Sequence, residues 1–426
     1  MSDLKFYKTI LFLCLASCLA PLATDMYLPS LTGIAEEMNS SISDMQLTVS
    51  IFFGGFAAGQ LIYGPLSDAL GRKKIIMIGT LVFTLASMCA VFTRNFGVFF
   101  VMRLLQALGG ASGAVVANAV MKDIFKGTQF NRAINISMIA MSLAPLIAPT
   151  LGGMLAGFGW QYCFYLLATI GVLILCCIGF GIPESLPKDR RQPLNFSVML
   201  ANYGKIISHK SVCGTVLAQA LNCAAMFSFI SGASQVYMNI YGLDSMTFGL
   251  VFALNIISLM IVVSFTGRFV KRFGLLTSFM GALCFSAVGS TLLLVMAIAE
   301  TDCLPLIIIP VVMTVCTVGL IGALSTTYTL GKFPEMTGTA SSVMGSLRFG
   351  LGALAGLVFN SFSGTTAVPM AATMFVLSVA ALAVFTLSRR FHLQETAAAG
   401  MAATDEAGGM TVKETVRRND ENRTVC

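Results

Sequence analysis

Long apolar runs dominate the chain, and short polar connections separate them. A helix needs about 20 residues to cross the hydrocarbon core of a bilayer, and twelve runs have roughly that length. Their bounds lie near 9–31, 44–64, 74–93, 97–121, 133–157, 161–182, 212–237, 246–267, 275–299, 304–330, 338–362 and 367–388. The pattern therefore predicts an all-α membrane protein with twelve transmembrane helices.

The composition excludes an ordinary soluble domain. Of the 426 residues, 56% are hydrophobic and 11% are charged, whereas soluble domains have about 25% charged residues. The twelve cysteines lie mostly within the apolar runs and form no CxxC pair or Cys/His cluster. We therefore predict no metal site and no cofactor.

Basic residues concentrate in alternate connections, which a twelve-helix chain would place on one side of the membrane. These residues are Lys5, Lys8, Arg72, Lys73, Lys74, Lys122, Lys126, Arg132, Lys188, Arg190, Arg191, Lys205, Lys210, Arg268, Lys271, Arg272, Lys332, Arg389 and Arg390. The other connections hold Arg94 beside several acids. The positive-inside rule then predicts that both termini are cytoplasmic. The net charge of +7 marks this face and does not indicate nucleic-acid binding.

A polar stretch at 183–211 divides the runs into two sets of six. We expect an N-terminal six-helix bundle at 1–182, a cytoplasmic linker at 183–211 and a C-terminal bundle at 212–390. The separation of Gly64 from Gly71 is repeated between Gly267 and Gly274, which supports two repeated halves. Residues 391–426 are polar and rich in small side chains, and predict a disordered cytoplasmic tail.

The first apolar run contains an acidic residue, Asp25, which lies between two prolines. A charge at the centre of a bilayer costs roughly 2.5–3.5 kcal/mol, so such a residue usually faces a cavity or a partner. Taking up a proton removes this cost, which makes Asp25 a candidate proton-binding site. The alternative is an Asp25 that lies near the outer interface and is hydrated there.

Arg103 is the candidate partner of Asp25. Helical rise places Asp25 about 8 Å and Arg103 about 9 Å below the same surface. We expect a switchable ion pair, in which pairing favours the carboxylate and separation favours its protonation. The alternative is a fixed structural arginine that bonds carbonyl groups at a helix end.

Five residues of the connection after the second run, Gly64, Asp68, Gly71, Arg72 and Lys73, resemble the G-x-x-x-D-R-x-G-R-[RK] signature of the major facilitator superfamily. Ala69 departs from it where the family usually has a base, so Asp68 is expected to find its cation elsewhere. The resemblance implies the major facilitator fold, a cytoplasmic gate at these residues and a single working chain. It also implies a substrate site near the midplane between the halves.

Two further motifs resemble that superfamily, and the second of them resembles one of its branches. The fourth run matches its R-x-x-Q-G-x-G pattern at Arg103, Gln106 and Gly109, and this match implies a coupling role for Arg103 and Gln106. The fifth run reads A-P-x-x-A-P-x-L-G-G from Ala144, which resembles the antiporter motif of bicyclomycin and chloramphenicol exporters (Bcr/CflA). The motif residues are Pro145, Pro149, Gly152 and Gly153. The resemblance implies export across a bacterial inner membrane.

The sequence therefore predicts a proton-coupled exporter of small drug-like molecules, with protons, substrate and the lipid bilayer as its partners. A metabolite exporter or a proton-independent facilitator is the alternative. The expected substrate cavity is formed by Asp25, Tyr27, Asn118, Asn222 and Arg348. Arg348 could instead contact a carbonyl or Asp25. An enzyme is not expected, because both histidines lie outside the runs and no acid pair lies within them.

Overall fold

The computed structural model describes residues 3–191, 194, 196–362 and 366–391, and these residues form helices and connections without a strand. The predicted tail lies outside the described residues, apart from Phe391. The helices are α1 (Asp3–Asp25), α2 (Leu31–Glu37), α3 (Ile42–Leu70), α4 (Arg72–Phe92), α5 (Phe96–Ile124), α6 (Thr128–Ala156), α7 (Gln161–Gly181), α8 (Phe196–Ser208), α9 (Lys210–Ser234), α10 (Ser245–Ser264), α11 (Thr266–Phe273), α12 (Leu275–Ile298), α13 (Pro305–Lys332), α14 (Thr337–Ser361) and α15 (Val368–Phe391).

Twelve segments of the described chain are long and apolar enough to cross a membrane, which confirms the predicted number. Their ends follow capping groups rather than hydropathy. At the start of α3, Ser41 and Asp44 form a capping box, and at its end Gly71 adopts a φ of 104° that favours glycine. As a result α3 spans Ile42–Leu70, which is longer than the apolar run at 44–64 at both ends and mainly at its C-terminal end.

The predicted linker contains an additional helix. Within 183–211 the residues of α8 form a 13-residue helix. The Tyr203 hydroxyl of α8 donates a hydrogen bond of 3.2 Å to the carbonyl of Leu61 in α3. The linker therefore does more than connect the halves, because part of it packs against the second span.

The two halves meet through α3 against α14 and through α6 against α10. We call the end that holds Gly71 the basic face and the end that holds Ser41 the opposite face. Side-chain hydrogen bonds join the halves near the opposite face. Ser43 donates to Asn360 at 2.7 Å, and Gln46 donates to Gln235 at 2.8 Å. The halves are thus closed against each other at this end.

Candidate functional site

The first span is broken immediately after Asp25. Helix α1 ends there, a short 3-10 helix follows at Leu28–Ser30, and α2 then continues toward the opposite face. Pro29 has no backbone N–H and restricts the residue before it, so the regular helix cannot pass through this point. The break leaves carbonyl groups of the last turn of α1 free to accept bonds from other helices. Such interrupted helices often form the binding sites of transporters.

Asp25 is 5% exposed at this break. In the part of the chain that the structure describes, its carboxylate forms no hydrogen bond or ion pair. It also lies at the C-terminal end of α1, where the helix dipole carries a partial negative charge. Burial and the partial negative charge of the helix end both disfavour an ionised carboxylate at Asp25. The site can therefore hold a proton more easily than a bare carboxylate.

Arg103 lies fully buried in α5 and bonds groups other than Asp25. Its Nη1 donates to the carbonyl of Ala23 at 3.1 Å and to Oε1 of Gln106 at 2.5 Å. Its guanidinium carbon lies 4.0 Å from the ring centre of Tyr27 and 4.6 Å from that of Phe52. Gln106 in turn donates to the Ser87 hydroxyl at 2.8 Å. A charged, stacked guanidinium is thus held by a carbonyl of the broken helix.

The expected depth of Arg103 agrees with this contact, because Ala23 is only two residues before Asp25. The expected ion pair is absent from the ion pairs of the described residues, and the structure instead shows the carbonyl contact that we gave as the alternative. Two further nitrogens of Arg103, Nε and Nη2, have no acceptor among the described residues. Pairing with Asp25 in another conformation stays a prediction.

The uncharged residues of the predicted cavity have different environments. Tyr27 is fully buried, and its hydroxyl shares a hydrogen bond of 2.9 Å with Thr48, so in this structure it supports Arg103. Asn222 is also fully buried and donates to the Ser286 hydroxyl at 2.7 Å. Asn118 is exposed. Direct contact of these residues with a substrate stays a prediction.

Arg348 lies near the middle of α14 and is partly buried. Its guanidinium carbon is 4.8 Å from the ring centre of Phe349, and its Nε has no acceptor among the described residues. The Phe349 ring lies 5.1 Å from Phe227 and 4.5 Å from Phe56. This aromatic cluster, which joins both halves, has no distinctive sequence signal because phenylalanine is common throughout the spans.

At the basic face, Asp68 finds its cation within its own motif. Arg72, one helical turn further, approaches Asp68 to 2.5 Å and Asp123 to 3.2 Å. The Glu184 carboxylate accepts the backbone N–H of Arg72 at 2.9 Å and therefore caps the start of α4. The sequence pattern did not identify Asp123 or Glu184, because both lie far from the motif along the sequence.

The small residues of α6 allow two close contacts. A Cβ atom at Gly152 would overlap the carbonyl of Met26, directly at the break in the first span. A Cβ atom at Gly153 would meet the carbonyl of Ser245 in the other half. Pro145 and Pro149 lie within the same helix. The predicted antiporter motif thus packs between the break and α10.

Comparison with known proteins agrees with this architecture. Residues 13–357 match the model of the Major Facilitator Superfamily. A bicyclomycin resistance protein homolog of Haemophilus influenzae is 33% identical over 86% of this chain and 92% of its own length. A chloramphenicol resistance protein of Pseudomonas aeruginosa is 27% identical over 89% of this chain and 90% of its own length.

A solved structure shows the same fold. A bacterial homolog of the human lysosomal transporter Spinster, solved in an inward-facing and occupied conformation, superimposes with a TM-score of 0.73 at 16% identity. The match covers 92% of this chain and 98% of that chain. The twelve spans, the sequence match over most of the chain and these relatives show that the chain belongs to the major facilitator superfamily and is a membrane transporter rather than an enzyme.

Proposed function

We propose that this transporter exports small drug-like molecules in exchange for protons. The observation that carries the proposal is the buried carboxylate of Asp25 at the break in the first span, which has no partner among the described residues. The names of the relatives support the class of cargo, because they include bicyclomycin resistance, chloramphenicol resistance and multidrug resistance proteins. The positive-inside rule supports a cytoplasmic basic face and cytoplasmic termini, in a bacterial inner membrane.

Proton exchange requires that Asp25 be stable in two states. The protonated carboxyl is neutral and tolerates burial, while the carboxylate needs a cation or water. Arg103 bonds the carbonyl of Ala23, which is two residues from Asp25, and two nitrogens of Arg103 have no acceptor in the part of the chain that the structure describes. A small movement of the broken helix would bring the carboxylate to these donors. Proton release would then be coupled to a change in how the first span packs on α5.

The two halves would alternate around this site. Closure at the opposite face by Gln46 and Gln235 would alternate with closure of the halves at the basic face. A single chain contains both halves, so the cycle needs no second copy. The Arg103–Ala23 contact also fits the alternative, a proton-independent facilitator in which Arg103 is a fixed structural residue.

The test is substrate-driven proton movement in liposomes. Purified protein is reconstituted, internal pH is followed with a trapped dye, and chloramphenicol is added to one side. We expect the wild type to move protons against chloramphenicol, and Asp25→Asn to abolish this movement because the amide cannot release a proton.

Asp302→Asn is the matched control, since Asp302 is exposed in a connection outside the spans. It should behave as the wild type. Chloramphenicol flux that is insensitive to both the pH gradient and Asp25→Asn would contradict proton exchange and favour the facilitator.

A further inference from the structure

Eight side chains of the described C-terminal half have buried polar atoms without partners, and three of the eight lie at similar levels of the adjacent helices α9 and α14. The side-chain oxygens of Gln219 and Asn222 in α9 have no donor among the described residues, and Nε of Arg348 in α14 has no acceptor there. Gln219 is 6% exposed and Asn222 is fully buried. Folded proteins leave few buried polar atoms unpaired, so a group of them suggests a binding site. We call these three residues the polar row.

The packing of α9 on α14 places Arg348 level with Asn222. A Cβ atom at Gly352 would overlap the Phe227 ring, and one at Gly356 would lie 3.2 Å from the Ser231 hydroxyl. Both contacts join residues whose numbers differ by 125, as expected for parallel helices in register. If this register continues one turn closer to the basic face, Arg348 lies beside Cys223, which is the neighbour of Asn222 in the sequence. Gln219 lies about one turn before Asn222 in α9, closer still to the basic face.

The charges of the interior restrict what can bind beside this row. Three charged residues of the described spans lie at least seven residues from either end of a span, namely Asp25, Arg103 and Arg348. Their formal sum is +1 when Asp25 is ionised and +2 when it is protonated. Two guanidinium groups in a poorly solvated interior repel an organic cation.

The direction of coupling also disfavours an anion. Protonation of Asp25 adds positive charge, which would strengthen the binding of an anionic substrate. Coupling of that sign would move proton and substrate across the membrane in the same direction, whereas exchange moves them in opposite directions. An uncharged substrate whose N–H or O–H group bonds the Asp25 carboxylate behaves differently, because protonation removes the acceptor and weakens binding.

We infer that the polar row forms part of the substrate site and selects uncharged molecules that carry both hydrogen-bond acceptors and donors. The acceptor would bind Arg348, the donors would bind the side-chain oxygens of Gln219 and Asn222, and an aromatic body would lie against Phe349. This inference rests on the proposed function, which supplies the direction of coupling.

The experiment compares three radiolabelled probes of nearly one shape. They are para-nitrobenzamide, which is neutral, para-nitrobenzoate, which is anionic, and para-nitrobenzylammonium, which is cationic. Binding to the purified full chain is measured by equilibrium dialysis at neutral pH and in mild acid. We expect the amide to bind about tenfold more tightly than the ammonium. Repulsion between the ammonium and one net positive charge about 10 Å away gives a ratio of this size at an effective dielectric constant of about 20.

Variants test whether the polar row causes this preference. Arg348→Gln should reduce discrimination against the ammonium severalfold, while Arg348→Lys, which keeps the charge, should retain it. Asn222→Leu should weaken binding of the amide. Arg268→Gln, on the unburied helix α11, is the control and should leave all three affinities unchanged.

Two pH results separate the inference from the proposed function. Amide affinity should fall in mild acid, and Asp25→Asn should remove that dependence. If discrimination against the ammonium is present but chloramphenicol moves no protons, the antiport proposal fails and only the exclusion of cations stands. Equal binding of amide and ammonium, or no binding of the amide at its solubility limit, would overturn the inference. So would unchanged discrimination in a folded Arg348→Gln protein.

Discussion

Gly249 is a residue at which the addition of one methyl group should disturb the contact between the halves. It lies in α10 against α6, and a Cβ atom there would be 2.9 Å from both the carbonyl oxygen of Pro149 and the Cα of Thr150. Carbon atoms pack best at about 3.5–4.0 Å. Gly249→Ala therefore requires α10 to move away from α6 by roughly 0.5–1 Å in the conformation that the structure shows.

Overpacking of this kind costs about 1–3 kcal/mol. The cost applies only when α6 and α10 are in contact near the opposite face, so the substitution should shift the equilibrium between closed and open conformations. An energy of that size changes the ratio by about 5- to 150-fold. Segments near the opposite face, such as 28–41 and 235–249, should then open more often.

Hydrogen–deuterium exchange measures this opening without introducing labels. We expect faster amide exchange in those two segments of Gly249→Ala, and no acceleration at the basic face. Gly267→Ala is the matched control, because Gly267 is also helical and a Cβ atom there would meet nothing within 4 Å. This control measures the effect of the higher helix propensity of alanine when no close contact is disturbed.

Unchanged exchange near the opposite face in a folded Gly249→Ala protein would refute the reasoning. Equal acceleration at both faces would also refute it, since that result would indicate general destabilisation.

Two further predictions concern residues that the structure places clearly. Arg103→Lys should lower the free energy of unfolding by at least about 1.5 kcal/mol, because lysine keeps the charge but loses the fork that bonds Ala23 and Gln106; an unchanged thermal unfolding midpoint would contradict this. Hydrogen bonds from Thr247 lower the pKa of Asp244, the cap of α10. A lowered pKa stabilises the fold at neutral pH, and this stabilisation is lost as the pH falls through that pKa. Asp244→Ala should therefore be less stable than the wild type at neutral pH, and the difference in unfolding midpoint should shrink in acid; a difference that stays constant with pH would disprove the linkage.

The sequence by itself determined the features that depend on local chemistry. The number of spans followed from hydropathy and length, because each helix satisfies its own backbone hydrogen bonds in a bilayer. The isolation of Asp25, Arg103 and Arg348 within apolar runs was also visible, since a charge is unusual in such runs. The motif residues near Gly71 and in α6 identified the family without coordinates.

Only the tertiary structure decided which groups meet. Arg103 contacts Ala23 rather than Asp25, because the break in the first span exposes a carbonyl within reach of the guanidinium. Arg72 pairs with both Asp68 and Asp123 because the ends of α3 and α5, which are distant in sequence, converge at the basic face. The polar row depends on the register of α9 against α14. Hydropathy specifies that these helices are buried, but side-chain packing between them sets the register.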